Sequence, residues 1–220
     1  SADPAQLWSG VQVVGNGLID VEGLSLTQAH IGFLGAVTTT FRLVDSELRR
    51  LVSGLSLTVS ETGEAAVDRV ELTTITTNAI QLNGSGTMAV RSSLMEGNGH
   101  EGVLVRGAGL QIIDSRITGN GVLDEADPRS GLVAAGGVGQ RIELWNSTVE
   151  GNRQHGIDLD DWQGVFELHG STVTGNREDG IRTVGAQRIV FEEVEVARNL
   201  AAGARLSDTV SEVWTTKFDN

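Results

Sequence analysis

The sequence contains no cysteine, which excludes disulfide bonds and thiolate-ligated metal sites. Proline occurs only twice and tyrosine does not occur at all. Aromatic residues make up only 4% of the chain, so a core must be filled mainly by aliphatic side chains. The 29 glycines, in contrast, are typical of a chain that makes many turns between short strands.

Basic residues are also scarce. The net charge is −13, because 29 acidic residues face 16 basic ones, and Lys217 is the only lysine. Nucleic acid and anionic membranes bind clustered lysine and arginine, so we expect neither as a partner. No apolar run has the length of a membrane span. We expect an extracellular or cell-surface protein, with the periplasm as the alternative.

Glycine and asparagine recur at regular intervals along the chain. Glycines that open alternating apolar segments are 29, 25, 24 and 23 residues apart: Gly102, Gly131, Gly156, Gly180 and Gly203. Asparagines that close such segments are 22, 32, 24 and 23 residues apart: Asn98, Asn120, Asn152, Asn176 and Asn199. The first half continues the glycine series less regularly, with Gly10, Gly32, Gly54 and Ala79. Short repeats rich in Val, Ile, Leu and Thr predict a parallel β-solenoid, in which each strand pairs with its copy in the next coil.

Alternation within each repeat predicts which side chains face the core. In the repeat that begins at Gly156, these are Ile157 and Leu159 in a first strand, Phe166 and Leu168 in a second, and Val173 in a third. Like residues occupy these positions in the neighbouring repeats. We expect the recurring asparagines to stack and to hydrogen-bond between coils.

These units, G-I-x-L…V-x-[IL]…S-x-V-x-G-N, resemble the right-handed parallel β-helix repeat family. That family includes pectate lyases, other polysaccharide lyases, glycoside hydrolases and many non-enzymatic surface proteins. The resemblance extends from Ala79 to about Asp208 and implies an all-β, right-handed parallel β-helix of about nine coils. We expect one domain over residues 1–220, with an inserted loop at 121–130. No cap is evident at either end, so we expect a segment of a longer protein or end-to-end contact with a neighbouring domain or protomer.

The outward positions of the first strand provide the first candidate site. Stacking of coils about 4.8 Å apart places Asp158 against Arg182, with Arg205 one coil further. Asp160, Asp161, Trp162 and His155 lie nearby in sequence, and Arg106 occupies an outward position of an earlier repeat. One interpretation is a solvated ladder of ion pairs. Another is a sugar-binding surface, with Trp162 as the platform and charged groups bonding to hydroxyls or uronates.

Catalysis is the third interpretation of these residues. Asp158 and Asp160 have the pairing needed for acid and base roles in glycoside hydrolysis, and Arg182 or His155 are candidates for proton abstraction. The catalytic motifs of pectate lyases, polygalacturonases and alginate epimerases are missing from the sequence. No catalytic residue is therefore carried over from the resemblance.

Two further sets of residues are weaker candidates. Trp145 and His169 occupy the same outward position on the second strand of adjacent repeats and form either a sugar-stacking pair or an ordinary surface patch. Asp124, Glu125 and Asp127 in the inserted loop carry the oxygen ligands that Ca²⁺ prefers, although an ordinary solvated loop is the simpler interpretation. We expect no cofactor, with Ca²⁺ as the alternative.

The interpretation that we favour is a secreted or cell-surface β-helix module without catalytic activity, acting as a rigid scaffold or as a carbohydrate-binding surface. One alternative is a polysaccharide-active enzyme, a lyase or a glycoside hydrolase, that uses the face around Asp158, Asp160 and Arg182. Another is a structural or adhesive segment of a large surface protein.

Overall fold

The computed structural model describes residues 8–13, 17–123 and 128–219. Over these residues the chain forms 25 β-strands, and all their pairings are parallel. Three strands make one coil, and each strand pairs with its copy in the next coil. No helix in these stretches is long and apolar enough to cross a membrane.

The first strands of successive coils form a nine-stranded sheet whose order follows the chain, which confirms the solenoid of about nine coils. These strands are β1 (Val11–Val13), β4 (Ile31–Val37), β6 (Ser53–Val59), β8 (Ile80–Gly84), β11 (Val103–Arg106), β14 (Leu132–Ala135), β17 (Ile157–Asp160), β20 (Ile181–Val184) and β23 (Ala204–Ser207).

The second and third strands form a sixteen-stranded sheet, because two long strands run through both positions. The second strands are β2 (Leu18–Glu22), β9 (Thr87–Arg91), β12 (Gly109–Ile113), β15 (Arg141–Trp145), β18 (Val165–His169), β21 (Arg188–Glu192) and β24 (Ser211–Trp214). The third strands are β3 (Ser25–Thr27), β10 (Leu94–Glu96), β13 (Arg116–Thr118), β16 (Thr148–Glu150), β19 (Thr172–Thr174), β22 (Glu195–Ala197) and β25 (Lys217–Asp219). The two long strands are β5 (Thr40–Arg49) and β7 (Glu64–Thr73).

The register of the first strands confirms the glycine series. Phe33 pairs with Leu55, and Leu55 pairs with Ile80. The residues directly before these three also lie in line along the sheet, and they are the members Gly32, Gly54 and Ala79 of the series. The series is thus continuous from the irregular N-terminal repeats into the regular ones. The sequence period identified the coils even where the consensus is weak.

The core is a column of stacked aliphatic layers with a few phenylalanines. The five predicted inward positions of the repeat that begins at Gly156 are all fully buried. Phe166 packs edge-to-face on Phe191 of the next coil, with ring centroids 6.3 Å apart. In the last coil Ala204 and Leu206 are only partly buried. Burial of like residues above like residues supplies the main stabilisation of the solenoid.

The asparagine ladder is confirmed, and every one of its members is buried. The side-chain NH₂ group of each asparagine donates to the side-chain oxygen of the asparagine in the next coil at 2.8–3.0 Å, and this series runs from Asn98 to Asn199. From Asn120 onward, each side-chain oxygen also accepts the backbone N–H of the asparagine in the preceding coil, as Asn152 does from Asn120 at 3.0 Å, and the oxygen of Asn98 accepts the backbone N–H of Ile75. The ladder therefore satisfies backbone groups that the turn leaves without strand partners.

A second ladder, of serines, lies at the turn between the second and third strands. The hydroxyl of each serine accepts the backbone N–H of its counterpart in the preceding coil, from Ser93 to Ser115, Ser147 and Ser171. The residue before each serine has positive φ, for example Asp114 with φ 50°. The serine hydroxyl thus closes a tight left-handed turn in each coil.

Candidate functional site

The outer face of the first strands places Asp158 beside Arg182, as the sequence predicts. The two residues pair in register between β17 and β20, and Arg182 Nε lies 3.0 Å from Asp158 Oδ1. A terminal nitrogen of Arg182 also lies 3.1 Å from the carboxylate of Asp160. Asp158 and Asp160 thus share one guanidinium. Asp158 is nearly enclosed, whereas the Asp160 side chain is 63% exposed.

The enclosed position of Asp158 disfavours its charged form. Its Oδ1 atom is buried, and its contact with Arg182 lacks the alignment of a hydrogen bond. Burial raises the pKa of Asp158, although Arg182 and His155 oppose this rise. The folded protein therefore holds a proton on Asp158 more firmly than the unfolded chain does.

Asp158→Asn is expected to raise the melting temperature at about pH 7, and the gain should shrink towards zero below about pH 4. A raised pKa stabilises the fold at low pH, and this contribution is lost as the pH rises through the folded-state pKa. Thermal denaturation across this pH range measures the effect. Asp160→Asn removes the same charge from an exposed partner of Arg182 and should change stability little. A stability gain for Asp158→Asn that does not depend on pH would contradict the assignment.

His155 precedes the strand-opening glycine of its coil and is buried. Its Nδ1 accepts the backbone N–H of Asp179 at 3.2 Å, so the proton of the neutral ring is on Nε2, which lies 3.1 Å from the carboxylate of Glu178. Asn78, at the equivalent position of an earlier coil, accepts the backbone N–H of Glu101 in the same way. His155 therefore serves as a backbone acceptor between coils in this arrangement.

Asp179 forms a bidentate charged contact on this face. Arg205 donates to both of its carboxylate oxygens, at 2.9 and 3.3 Å, and the backbone N–H of Ala202 donates at 2.9 Å. Burial opposes ionisation of Asp179, but these hydrogen bonds outweigh it and lower its pKa. Arg205 is in register with Arg182, as the sequence predicts, but its guanidinium binds Asp179.

Trp162 is fully buried, so its predicted role as an exposed sugar-binding platform is wrong. Asp161 has φ 57°, and this left-handed residue turns the following side chain back towards the solenoid. The indole ring packs directly against Gly137 and also approaches Gly164. A Cβ added to Gly137 would lie only 2.0 Å from the ring, so no larger residue fits there. Its Nε1 donates to the carbonyl of Val165 at 3.4 Å. Trp162 fills the turn between the first and second strands.

The other predicted residues of this face do not converge. Arg106 is exposed on β11, two coils before β17, and therefore lies about 10 Å from the Asp158 coil. The Asp161 carboxylate accepts a hydrogen bond from Gln163 at 3.3 Å. The proposed calcium ligands Asp124, Glu125 and Asp127 lie outside the described residues. Among the residues that the structure does describe, no group of three or more acidic or histidine side chains has a metal-binding arrangement.

A second charged and aromatic face lies on the outer side of the second strands. Trp145 and His169 pair in register, and their rings stack with centroids 3.8 Å apart and planes inclined by 10°. The sequence predicted that these residues are neighbours. Trp145 is 39% exposed whereas the His169 side chain is mostly buried, so the aromatic surface that faces solvent is mainly the indole.

Two carboxylates lie beside the aromatic pair, and sequence reasoning missed them. Glu143 and Glu167 pair in register and are only 9% and 8% exposed. One Arg141 guanidinium nitrogen lies 3.3 Å from Glu143 and 2.8 Å from Glu167. Gln111 donates to Glu143 at 2.7 Å. The alternation of the sequence could have identified these residues as neighbours. The middle outward residues of three successive second strands are Gln111, Glu143 and Glu167.

A shallow groove leads along this face to the acidic pair. Its volume is about 350 Å³, and Ala66 and Ala89 form part of its lining because their small side chains leave space between neighbours. Gln111 also lines the groove and hydrogen-bonds to Glu143. The groove thus leads along the solenoid axis to the two carboxylates, and the stacked rings lie beside these carboxylates on the same two strands, β15 and β18. This arrangement can hold a linear ligand across several coils.

Comparison with known proteins agrees with the architecture. Residues 53–217 match the model of the family described as right handed beta helix region. No curated protein sequence matches the chain. Among solved structures, the chain is similar to the crystal structure of the periplasmic alginate epimerase AlgG, with 12% sequence identity, a TM-score of 0.48 and coverage of 94% of this chain and 76% of that chain. The match over residues 53–217 shows that the chain belongs to the right-handed β-helix family.

Proposed function

We propose that this protein is a carbohydrate-binding β-helix module without catalytic activity that acts outside the cytoplasm. Its binding surface is the outer face of the second strands. The observation that carries the proposal is the stacked pair of Trp145 and His169, in which the nearly parallel His169 ring holds the exposed indole of Trp145 in place. A sugar ring has apolar C–H faces and polar edges, so an exposed aromatic plane beside polar groups complements it.

The polar groups of this face are fixed before a ligand arrives. Arg141 bridges Glu143 and Glu167, and Gln111 holds Glu143 from the other side. A carbonyl or carboxylate oxygen has more than one lone pair, so these groups retain capacity to bond sugar hydroxyls. Preorganisation of this kind reduces the entropy lost on binding. The strands that carry these residues belong to one rigid sheet.

Trp145→Ala should weaken binding to the preferred glycan at least about tenfold, or ~1.4 kcal/mol, because the stacking surface is removed. Glycan-array screening followed by titration calorimetry measures the effect. Trp8→Ala is the matched control, since Trp8 is 54% exposed at the N-terminal end of the solenoid, away from this face. Equal affinities for Trp145→Ala and the parent protein, or no glycan bound by the parent protein, would overturn the proposal.

A polysaccharide-active enzyme is the second candidate function, and one observation on the other face favours it. Asp158 is enclosed, its pKa is raised, and its Oδ1 atom lacks a well-aligned hydrogen bond. A carboxyl group whose pKa is raised by burial holds its proton more firmly than an exposed one, which is the property that a general acid needs. Release of shortened or unsaturated products from a polysaccharide panel, lost in Asp158→Asn, would support this candidate over the non-catalytic module.

A further inference from the structure

A small depression lies directly against the stacked rings of Trp145 and His169. Its volume is about 210 Å³, and it is lined by Trp145, Asn146, His169, Gly170, Glu192 and Glu193. It therefore combines an aromatic wall with two carboxylates. No lysine or arginine is among these lining residues.

Two carboxylates line this depression, and His169 is the one lining residue that can carry a positive charge. The Glu192 carboxylate lies 3.0 Å from His169 Nδ1, and its side chain is 58% exposed. Arg188 lies on the same strand as Glu192, but it donates two hydrogen bonds to Glu212, at 2.9 and 3.1 Å. Glu192 thus faces the depression with a carboxylate that can accept further donors.

A second aromatic residue lies on the far side of Glu192. Glu192 pairs in register with Trp214, which is 58% exposed. A depression of about 250 Å³ there is lined by Val190, Glu192, Glu212 and Trp214. Glu192 is therefore a carboxylate between two aromatic surfaces, with acidic residues lining both depressions.

We propose that this acidic aromatic strip, defined as Trp145, His169, Glu192 and Trp214, binds an amino-sugar polymer with free protonated amines, such as a glucosamine oligomer. The inference rests on the proposed carbohydrate-binding function and specifies its ligand class. An ammonium group on the sugar meets both an aromatic face and a carboxylate, which are the two protein groups that attract it most directly. The exposed indoles of Trp145 and Trp214 offer apolar surfaces to the C–H face of a sugar ring, and for this reason a sugar fits the strip better than a basic peptide does.

Charge complementarity disfavours acidic polysaccharides at the same strip. A uronate would place its carboxylate against Glu192 and Glu193, and the whole chain, at −13, repels polyanions. A neutral N-acetylated sugar would keep the aromatic contact but lose the charged one. We therefore expect the free amine, rather than the sugar ring alone, to determine preference.

Calorimetric titration with three matched probes tests the inference: a glucosamine tetramer, an N-acetylglucosamine tetramer and a galacturonate tetramer. At about pH 5.5, above the usual glutamate pKa of about 4.3, the glucosamine tetramer should bind about tenfold more tightly than the N-acetylated one. The galacturonate tetramer should bind most weakly. Glu192→Gln should reduce the preference to about twofold, whereas Glu96→Gln, which removes the same charge from a third strand, should leave it unchanged.

The outcomes separate the inference from the function on which it rests. Equal affinity for the acetylated and free tetramers, with loss of both in Trp145→Ala, would overturn the amino-sugar inference and leave carbohydrate binding intact. Absence of binding to every sugar probe would overturn both. Tetralysine that binds as tightly as the glucosamine tetramer, without dependence on Trp145, would show attraction by charge alone and would also overturn the inference.

Discussion

Asn152→Leu should lower the free energy of unfolding by about 3–5 kcal/mol, the largest effect that we expect from a single polar side chain in this protein. Asn152 is fully buried in the middle of the ladder. Its oxygen accepts from the backbone and the side chain of Asn120, and its amide donates to Ile117 and Asn176. Leucine has a similar size and satisfies none of these four groups, so the backbone N–H of Asn120 would be left buried without an acceptor.

Chemical denaturation followed by circular dichroism measures this loss. Asn199→Leu removes three side-chain hydrogen bonds rather than four and should therefore cost less. Asn83→Leu is the surface control, because Asn83 points outward from β8, and it should change stability by no more than about 0.5 kcal/mol. If Asn152→Leu costs under about 1 kcal/mol, the ladder contributes little to stability.

Gly156→Ala should destabilise the protein by about 3 kcal/mol or more, which corresponds to a fall in melting temperature of about 6–12 °C. The reason is close approach between coils. A Cβ at this position would lie 2.6 Å from the side-chain nitrogen of Asn176, 2.6 Å from the carbonyl oxygen of Gly180 and 2.7 Å from a methyl group of Val173. Two of these atoms belong to the ladder or to the backbone of the next coil, so neither can move without breaking a stacking contact.

Differential scanning calorimetry of Gly156→Ala beside Gly17→Ala tests the explanation. A Cβ on Gly17 would meet nothing within 4 Å, and its backbone conformation is an ordinary one, so alanine there should be nearly neutral. Similar melting temperatures for the two variants would show that the close approach at Gly156 relaxes at little cost. The comparison separates a packing requirement from the general loss of a glycine.

Much of this fold follows from the sequence because one coil is repeated in register. The same spacing that identified the glycines also placed Asp158 against Arg182 and Trp145 against His169, since copies of one strand position must become neighbours in a parallel sheet. The asparagine ladder follows for the same reason. Register is thus the part of the structure that a repeat determines most directly.

The errors concern the direction of side chains at strand ends and the choice of partner. Trp162 follows a residue with positive φ, and a left-handed turn at Asp161 cannot be read from strand alternation. Arg205 stacks over Arg182 in register, yet its long side chain reaches back to Asp179, whose buried carboxylate needs a cation. Glu143 and Glu167 were overlooked because neither belongs to a known catalytic motif, although their position in the alternation marks them as neighbours.

The ladder of asparagine amides has a direction. Within the ladder, each side-chain amide from Asn98 to Asn176 donates to the asparagine of the higher-numbered coil, so the amide dipoles add along the solenoid axis and polarise one another. The row consequently has two unlike ends. A coil grafted beyond Asn199 would have to offer an acceptor, whereas one grafted before Asn98 would have to offer a donor. Coils of this protein can be duplicated or exchanged only in the orientation that preserves that polarity.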